Sequence, residues 1–563
     1  MKKTISLALA AALAATLCAC GGGSGTTQAP AAQATSAAQE GAAPAGGTQA
    51  ATAAPAAPDA QATTATAPQE SAGGTKVFVY GADANSTTFD PASDLQMKSG
   101  LFLVQAAGET LWTMDASGNM IPKLATSATW TDDLTLTVQL RDDVKFSNGN
   151  PFTADDVLYT LEHLFSTPRT ESILGALDIA ATKADGDYTV QMVFKRYDAA
   201  FIDTMGSGSF CMLDRESCEE RGDFGWFIGT GPYKLAGDGK TDKSGWTESV
   251  EYHLVRNEYY WGDAPYYDEL LCRFYSEEST RYSDLLAGNL DAAIFTESTY
   301  VNNLRNGAAA GSVLVQRSSA GVSGMSLAAG GGSNGSLADI NIRLAIAHGM
   351  DIDSIVTDMG EGVYNVVDSV LTDSNWAYYS PGGYEYDEAK ALDYLAKAGY
   401  GPSNPLTIRL VAESTAFYSA VAEAMQAYLS VIGINLDLSG MGDFPTILPR
   451  LIANDLDASL GSPSSGTGND PAALLQQLGP VSNNGLMRLT DEELVRLFDE
   501  GSSSRDHDER VEIYRRFQQK MHDECLFIPM WTDTLNYGVS NAHASFESAL
   551  NMNGFFNPCL LTD

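Results

Sequence analysis

The sequence predicts an α/β protein of more than one domain, on two observations. Its first half joins strictly alternating strands to an amphipathic helix, and its second half runs strand, helix, strand with long crossovers. The chain has 563 residues. Setting aside a leader of residues 1–74 leaves about 490, enough for two or three domains.

The stretch Leu134 to Leu140 alternates apolar and polar side chains, so four aliphatic residues share one sheet face and a strand is predicted. Ser147-Asn148-Gly149 supplies a turn. Thr153 then stands as an N-cap with Asp156 three residues on, and Val157, Leu158, Leu161, Leu164 and Phe165 fall at helical spacing, which predicts a helix over 154–166. Asp185-Gly186 precedes a second alternating strand, Tyr188 to Phe194. The run Ala328 to Ser336 is rich in glycine and reads as a flexible loop near a domain crossing. Asp387 caps a helix carrying Ala391, Leu392 and Leu395 that stops at Gly399. A strand from Leu406 to Val411, a helix from Ala416 to Ile432 ended by Gly433, and a strand from Ile434 to Leu438 make a βαβ unit, hence a parallel pair. Val511, Tyr514, Phe517 and Met521 mark a late helix, and the apolar run Cys525 to Trp531 reads as a buried strand.

The leader has its own logic. Lys2 and Lys3 precede an apolar run, Ile5 to Leu17, too short to span a bilayer, which is the layout of an export signal. Leu17 and Ala19 before Cys20 resemble the bacterial lipoprotein box, which implies diacylation of Cys20. Residues 21–74 are Ala, Thr, Gln, Gly, Ser and Pro with hardly a large apolar side chain, a composition that cannot bury enough surface to order itself. As a flexible tether they reach roughly 40 Å. No apolar run long enough to span a bilayer follows, so membrane attachment is assigned to the lipid.

Asp and Glu outnumber Lys and Arg by 71 to 33, and a net charge of −38 repels a phosphate backbone, so nucleic acid is not a partner. With Cys18 lost with the signal and Cys20 lipidated, Cys211, Cys218, Cys272, Cys525 and Cys559 remain. Their spacing matches no zinc pattern, and free buried thiols are expected, with a Cys211–Cys218 pairing left open. The six histidines, His163, His253, His348, His507, His522 and His543, are scattered without ligand spacing, so neither a metal nor another cofactor is expected.

Several patterns coincide in order: Phe89-Asp90-Pro91; Leu140 to Gly149 followed by Pro151 to Val157; Gly229-Thr230-Gly231-Pro232-Tyr233; Arg256 to Gly262; Asn341 to Ala347 leading to Asp351; and the helix into Ile528-Pro529. This ordered set resembles extracellular solute-binding protein family 5, the peptide, nickel and related receptors of ABC importers, over essentially all of 76–563. The resemblance implies a two-lobed, periplasmic-binding-protein-like fold (type II, cluster C) with an extra inserted subdomain. It divides the chain into a lipoprotein signal (1–20), a tether (21–74), lobe I (75–115, 229–335 and 526–563), the inserted subdomain (116–228) and lobe II (336–525). It further implies a non-enzymatic receptor on the outer face of the cytoplasmic membrane of a Gram-positive bacterium. This monomer captures a peptide or peptide-like solute between its lobes and passes it to the ABC permease.

The ligand contacts are less regular. Peptide receptors of the family place an Asp in a loop after a lobe II strand to neutralise the peptide amine. Here the corresponding loop is Gly461 to Pro471, and counting back from Pro471 puts Thr467 at that place. Asp470 can substitute if the loop shifts, although a turn residue before Pro471 is its simpler role. Trp376, Trp531, Ser323 and Met325 are the remaining candidate contacts, by aromatic area or by backbone groups near the first crossing. Two other function classes stay in view. Gly331-Gly332-Ser333-Asn334-Gly335 matches the nucleophile pattern of a secreted serine hydrolase using Ser333, but lies in a glycine-rich loop rather than a strand-to-helix elbow. A sensor that presents bound solute to a membrane signalling protein has the same sequence features as an importer's receptor.

Overall fold

The computed structural model describes residues 74–82, 90, 105–115, 118–207, 210–222, 227–237, 242, 245–247, 250–329, 335–453, 455–462, 468–475, 491–551 and 554–563. The signal with Cys20, the tether up to residue 73, Ser333 and Thr467 all lie outside them. Among the described residues no helix is long and apolar enough to cross a membrane.

One 12-stranded mixed sheet runs through most of the molecule. From one edge it comprises Ile434–Asp437, Leu406–Ala412, Ala458–Gly461, Ser312–Leu327 and Phe527–Ser540. It continues through Ala292–Phe295, Val77–Ala82, Glu269–Phe274, Glu251–Arg256 and Tyr233–Leu235, and two short strands complete the twelve, Asn365–Val366 beside Phe527–Ser540 and Trp246–Thr247 beside Glu251–Arg256. The two longest strands, of 16 and 14 residues, are neighbours at its centre and pass from one core to another. At one end Leu535, Tyr537 and Val539 pack with Phe78, Tyr80 and Tyr252. At the other, Met325, Ile528 and Trp531 pack with Ile346, Ile408 and Met425. These two strands link the two cores.

The βαβ unit forms over Leu406–Ala412, Ala416–Ile432 and Ile434–Asp437, with Leu406 opposite Ile434 in parallel register. Thr415 opens its helix by accepting a bond from the Tyr418 N–H at 3.2 Å. Gly433 closes it at φ +92°, where a Cβ would also lie 2.3 Å from the carbonyl carbon of Gly401, so both conformation and space demand glycine.

A separate four-stranded sheet lies within 125–193, in the order Ala125–Trp130, Thr135–Leu140, Thr189–Val193 and Lys183–Ala184. Its apolar face covers the helix Ala154–Leu164, whose Val157, Leu161 and Leu164 are buried. The Asp156 carboxylate accepts the Thr153 N–H at 2.8 Å, the backbone half of a capping box, and burial pushes its pKa up to about 6. This helix stops before the expected 166. Thr167 precedes Pro168, which disfavours helical backbone at Thr167, and Pro168 opens a new helix, Pro168–Ile173.

The late helix spans His507–Asp523 and buries Arg510, Ile513, Tyr514, Phe517, Gln518 and Met521. Val511 lies at the margin of that face, half-buried. The following strand begins at Phe527, because Cys525 turns the chain with φ +47°. Cys211, Cys218, Cys272, Cys525 and Cys559 are all free, and burial pushes the Cys211, Cys218 and Cys525 thiols up to about 12.

The ordered motifs hold the architecture together. Asp90 bonds His163 at 2.6 Å, Asn257 donates to the Gly231 carbonyl at 2.8 Å, and the buried Arg343 donates to the carbonyls of Leu337 and Glu524 at 2.7 and 2.8 Å.

Candidate functional site

The two crossing strands do not keep one register. Ser312–Ser318 pairs residue for residue with Ser540–Thr534, and pairing resumes at Val322 opposite Thr532. Ser319, Ala320 and Gly321 therefore stand against the single residue Asp533, and a second irregularity follows between Ser323 and Gly324. Extra residues in one strand of a pair bend and twist it. The break sits where the strands leave one core and enter the other.

Beside this break lies a cavity of about 850 Å3. Gln316 to Ser319 line it from the first crossing strand, and Pro529 and Thr532 from the second. The rest of its wall comes from Ile352 and Asp353, which open the helix Ile352–Gly360, and from the segment 365–384, including Asp368, Asp373 and Tyr378. That segment reaches the sheet because Asn365 and Val366 pair with Thr532 and Trp531. Thr532 is 5 % exposed, yet its Oγ1 has no hydrogen-bond partner. Trp531 Nε1, Thr534 Oγ1 and Arg317 Nε are likewise buried without a partner. Such a concentration of unsatisfied polar atoms at one place is uncommon in a folded chain.

On another part of the molecule, residues of the 133–203 region touch residues of the 469–505 region directly. The Asp203 carboxylate accepts the Asn469 N–H at 3.1 Å, and the Ala199 N–H donates to the Ser502 carbonyl at 2.8 Å. Arg505 donates to the Asp133 carbonyl at 2.8 Å while its guanidinium covers the Tyr197 ring at 4.0 Å. Behind this seam Arg510 donates to both oxygens of Asp470 at 2.8 Å. Burial pushes Asp198 up to about 6, and burial followed by the Asp470 charge does the same to Asp203. Residues of the 133–203 region and of the 469–505 region are thus in direct contact across this seam.

The candidate contacts read from sequence are distributed over both regions and the core. Asp470 caps Pro471–Leu474, accepting the Ala472 N–H at 2.9 Å, and is held by Arg510. Trp376 is half-buried beside the same arginine, 5.1 Å from its ring to the guanidinium, with His507 at 4.7 Å. Ser323 and Trp531 are cross-strand partners next to the register break, and both are fully buried. Trp531 packs edge-on against Phe417 at 5.1 Å and Tyr418 at 5.6 Å. Met325 is buried in the same core opposite Ile528. None of these five lines the cavity. Arg317, Asp353, Asp368, Asp373 and Thr532, which do, carry no motif. The available signal was the absence of helical or alternating pattern across 367–386, a long irregular segment of the kind that often carries function.

Residues 119–485 match the family model for bacterial extracellular solute-binding proteins, family 5 middle. The chain is 24% identical to heme-binding protein A of Haemophilus influenzae over 74% of its own length and 79% of that protein. It is 25% identical to the nickel-binding periplasmic protein of Escherichia coli, over 76% and 84%. Among solved structures it is similar to the periplasmic binding protein DppA of Helicobacter pylori in complex with the peptide STSA, with a TM-score of 0.72 and 22% identity. That match covers 86% of this chain and 98% of the other.

Proposed function

The chain belongs to the bacterial extracellular solute-binding proteins of family 5, and on that premise we propose that it is the receptor of an ABC importer for a peptide-like solute, without catalytic activity. The observation that carries this reading is the pair of crossing strands whose register breaks beside a cavity of about 850 Å3. A break of this kind lets two lobes hinge, and a solute favours the closed form only through contacts it makes there and not in the open form. The volume suits a ligand of a few residues. Relatives are named for nickel, heme and dipeptides, and the mixed polar and apolar lining here favours a peptide-like cargo.

The proposal includes the delivery system. Cys20 carries the lipid, residues 21–74 form the tether, and a monomeric body searches for solute at the outer face of the cytoplasmic membrane of a Gram-positive cell. The tether keeps the local concentration near the permease high. The division into lobe I, inserted subdomain and lobe II at the boundaries given above is part of the same proposal.

Small-angle scattering across a peptide library tests it. A decrease in radius of gyration with some members is expected, and constant dimensions with all of them would sink the receptor reading. Cys20→Ala is expected to release the protein from membranes, and retention would refute the lipid anchor. Ser333→Ala is expected to leave every function intact, and loss of an ester- or amide-cleaving activity would reinstate the hydrolase.

A further inference from the structure

The seam joins two cores that share almost no apolar contact. Residues 125–205 have their own four-stranded sheet and their own buried cluster, which includes Leu136, Val138, Phe201 and Met205. The cluster across the seam holds Leu474, Leu497, Tyr514 and Phe517, and among the described residues Ala200 is the single member of 125–205 within it. What fastens the two is polar. Besides the bonds given above, the Asn469 side chain donates to the Gly118 carbonyl at 3.3 Å, and Arg196 donates to the Ser502 hydroxyl at 3.3 Å. The Arg505 guanidinium also lies 5.0 Å from the Trp130 ring. A join of this make parts at lower cost than an apolar one. At its centre stands a carboxylate without a cation. Asp203 is 7 % exposed, accepts the Asn469 N–H with both oxygens at 3.1 Å, and has no ion pair among the described residues. The backbone comes this close because residue 468 is glycine, where a Cβ would collide with Asp203 Oδ1. Asp470 faces Asp203 on one side and Asp198 on the other, and Arg510 is the cation opposite all three. That guanidinium is already committed, to Asp470 and to the Gly501 carbonyl at 2.7 Å. Arg196 and Tyr197 of the first segment and Tyr514 beside Arg510 are the other charged or titratable groups turned inward, with Arg505 and His507 at the rim.

We propose that this seam is a proton-sensitive latch: the 125–205 core and the core across from it join more firmly in acid and part more readily at neutral pH, with Asp203 taking up the proton. Protonation removes the repulsion between Asp203 and Asp470 and leaves one Asp203 oxygen to accept the Asn469 N–H. Ionisation restores the repulsion inside a join from which water is excluded, and parting lets water reach the charge. Arg505, set on the Tyr197 ring and bonded to the Asp133 carbonyl, supplies hold that does not depend on the proton. The inference goes beyond the receptor reading and needs no knowledge of the cargo.

The test is amide hydrogen exchange of the full chain in detergent at pH 5 and pH 7.5, without solute and corrected for the intrinsic effect of pH on exchange. The readout is protection of the seam amides, Ala199 and Asn469, against that of the helix Ala416–Ile432. A carboxyl moved from 3.8 to about 6 changes the ratio of joined to parted forms about tenfold between those two pH values. Seam protection is therefore expected to be about tenfold higher at pH 5, with the helix unchanged. Asp203→Asn, neutral at every pH, is expected to abolish the difference. Arg505→Ala, at the rim and outside both cores, is expected to lower seam protection about two- to fivefold at both pH values and to keep their ratio. Equal protection at the two pH values overturns the latch, as does a pH response that survives Asp203→Asn or is shared by the helix. Seam protection untouched by Arg505→Ala overturns it too. Because no solute is present, each of these failures leaves the receptor reading where the scattering experiment puts it.

Discussion

Two groups of carboxylates, one at the seam and one at the cavity, are treated in opposite ways. At the seam Asp470 is 8 % exposed and faces Arg510 at 2.8 Å, while Asp203 takes the Asn469 N–H. At the cavity Asp353, Asp368 and Asp373 face open volume with no cationic partner among the described residues. Both groups are irregularly placed in sequence and both belong to an acidic chain. The difference is desolvation. A carboxylate taken out of water needs a cation, as Asp470 has in Arg510, or is driven toward its neutral form, as Asp203 is, whereas the exposed Asp353 and Asp373 keep their water. The seam therefore depends on partners inside the protein, and the cavity carboxylates do not.

The comparison breaks most visibly if Arg510 is made apolar. Arg510→Met leaves Asp470 buried without its partner and still facing Asp203, which is expected to destabilise the chain by about 3–5 kcal/mol, read as a lowered thermal midpoint. Adding Asp470→Asn, which keeps the cap on Pro471–Leu474, is expected to restore much of the loss. If Arg510→Met unfolds at the original temperature, the pair is not the compensated charge described here.

A smaller effect is expected from proton uptake at the seam. Burial first, and the Asp470 charge second, push the Asp203 carboxyl from an ordinary 3.8 up to about 6 at the seam. Opening exposes the group and returns it toward its ordinary value, so the closed form binds the proton more tightly. Its contribution to closure is fully present below about pH 4 and is lost as pH rises through about 6. Scattering between pH 5 and 7.5 is expected to show a larger closed fraction at the acid end. Asp203→Asn should flatten that profile, and a profile unchanged by the substitution would detach Asp203 from closure.

How much of this was legible in the sequence follows the same division between regular and irregular chain. The strand Thr135–Leu140, the helix Ala416–Ile432 and the parallel pair around it were readable because period and caps repeat a local rule: alternation, Thr415, Gly433. The crossing strands were only half readable. Cys525 to Trp531 announced a buried run, but nothing local shows that Ser319 to Gly321 will stand against one residue, since register belongs to two strands more than 200 residues apart. The cavity was least readable. Asp353, Asp368 and Asp373 lie on a helix start and an irregular segment, and only the fold brings them near Arg317. Trp376 and Asp470 were singled out separately, and the structure joins them through Arg510, a residue with no motif of its own.

The smallest expected effect on stability is the sharpest discriminator between the two regions. Thr532→Val exchanges a hydroxyl for a methyl of nearly the same shape at a site where Oγ1 has no partner. A buried hydroxyl without a bond contributes nothing favourable, so the unfolding free energy is expected to change by less than about 1 kcal/mol and to move, if at all, toward greater stability. An ordinary structural threonine, bonded within the fold, would instead lose about 1 kcal/mol or more on this exchange. Oγ1 is shut off from the cavity as well as unbonded in the fold, so solute affinity is expected to stay within about twofold of the parent. A several-fold loss of affinity would show instead that the hydroxyl turns toward the solute when it binds.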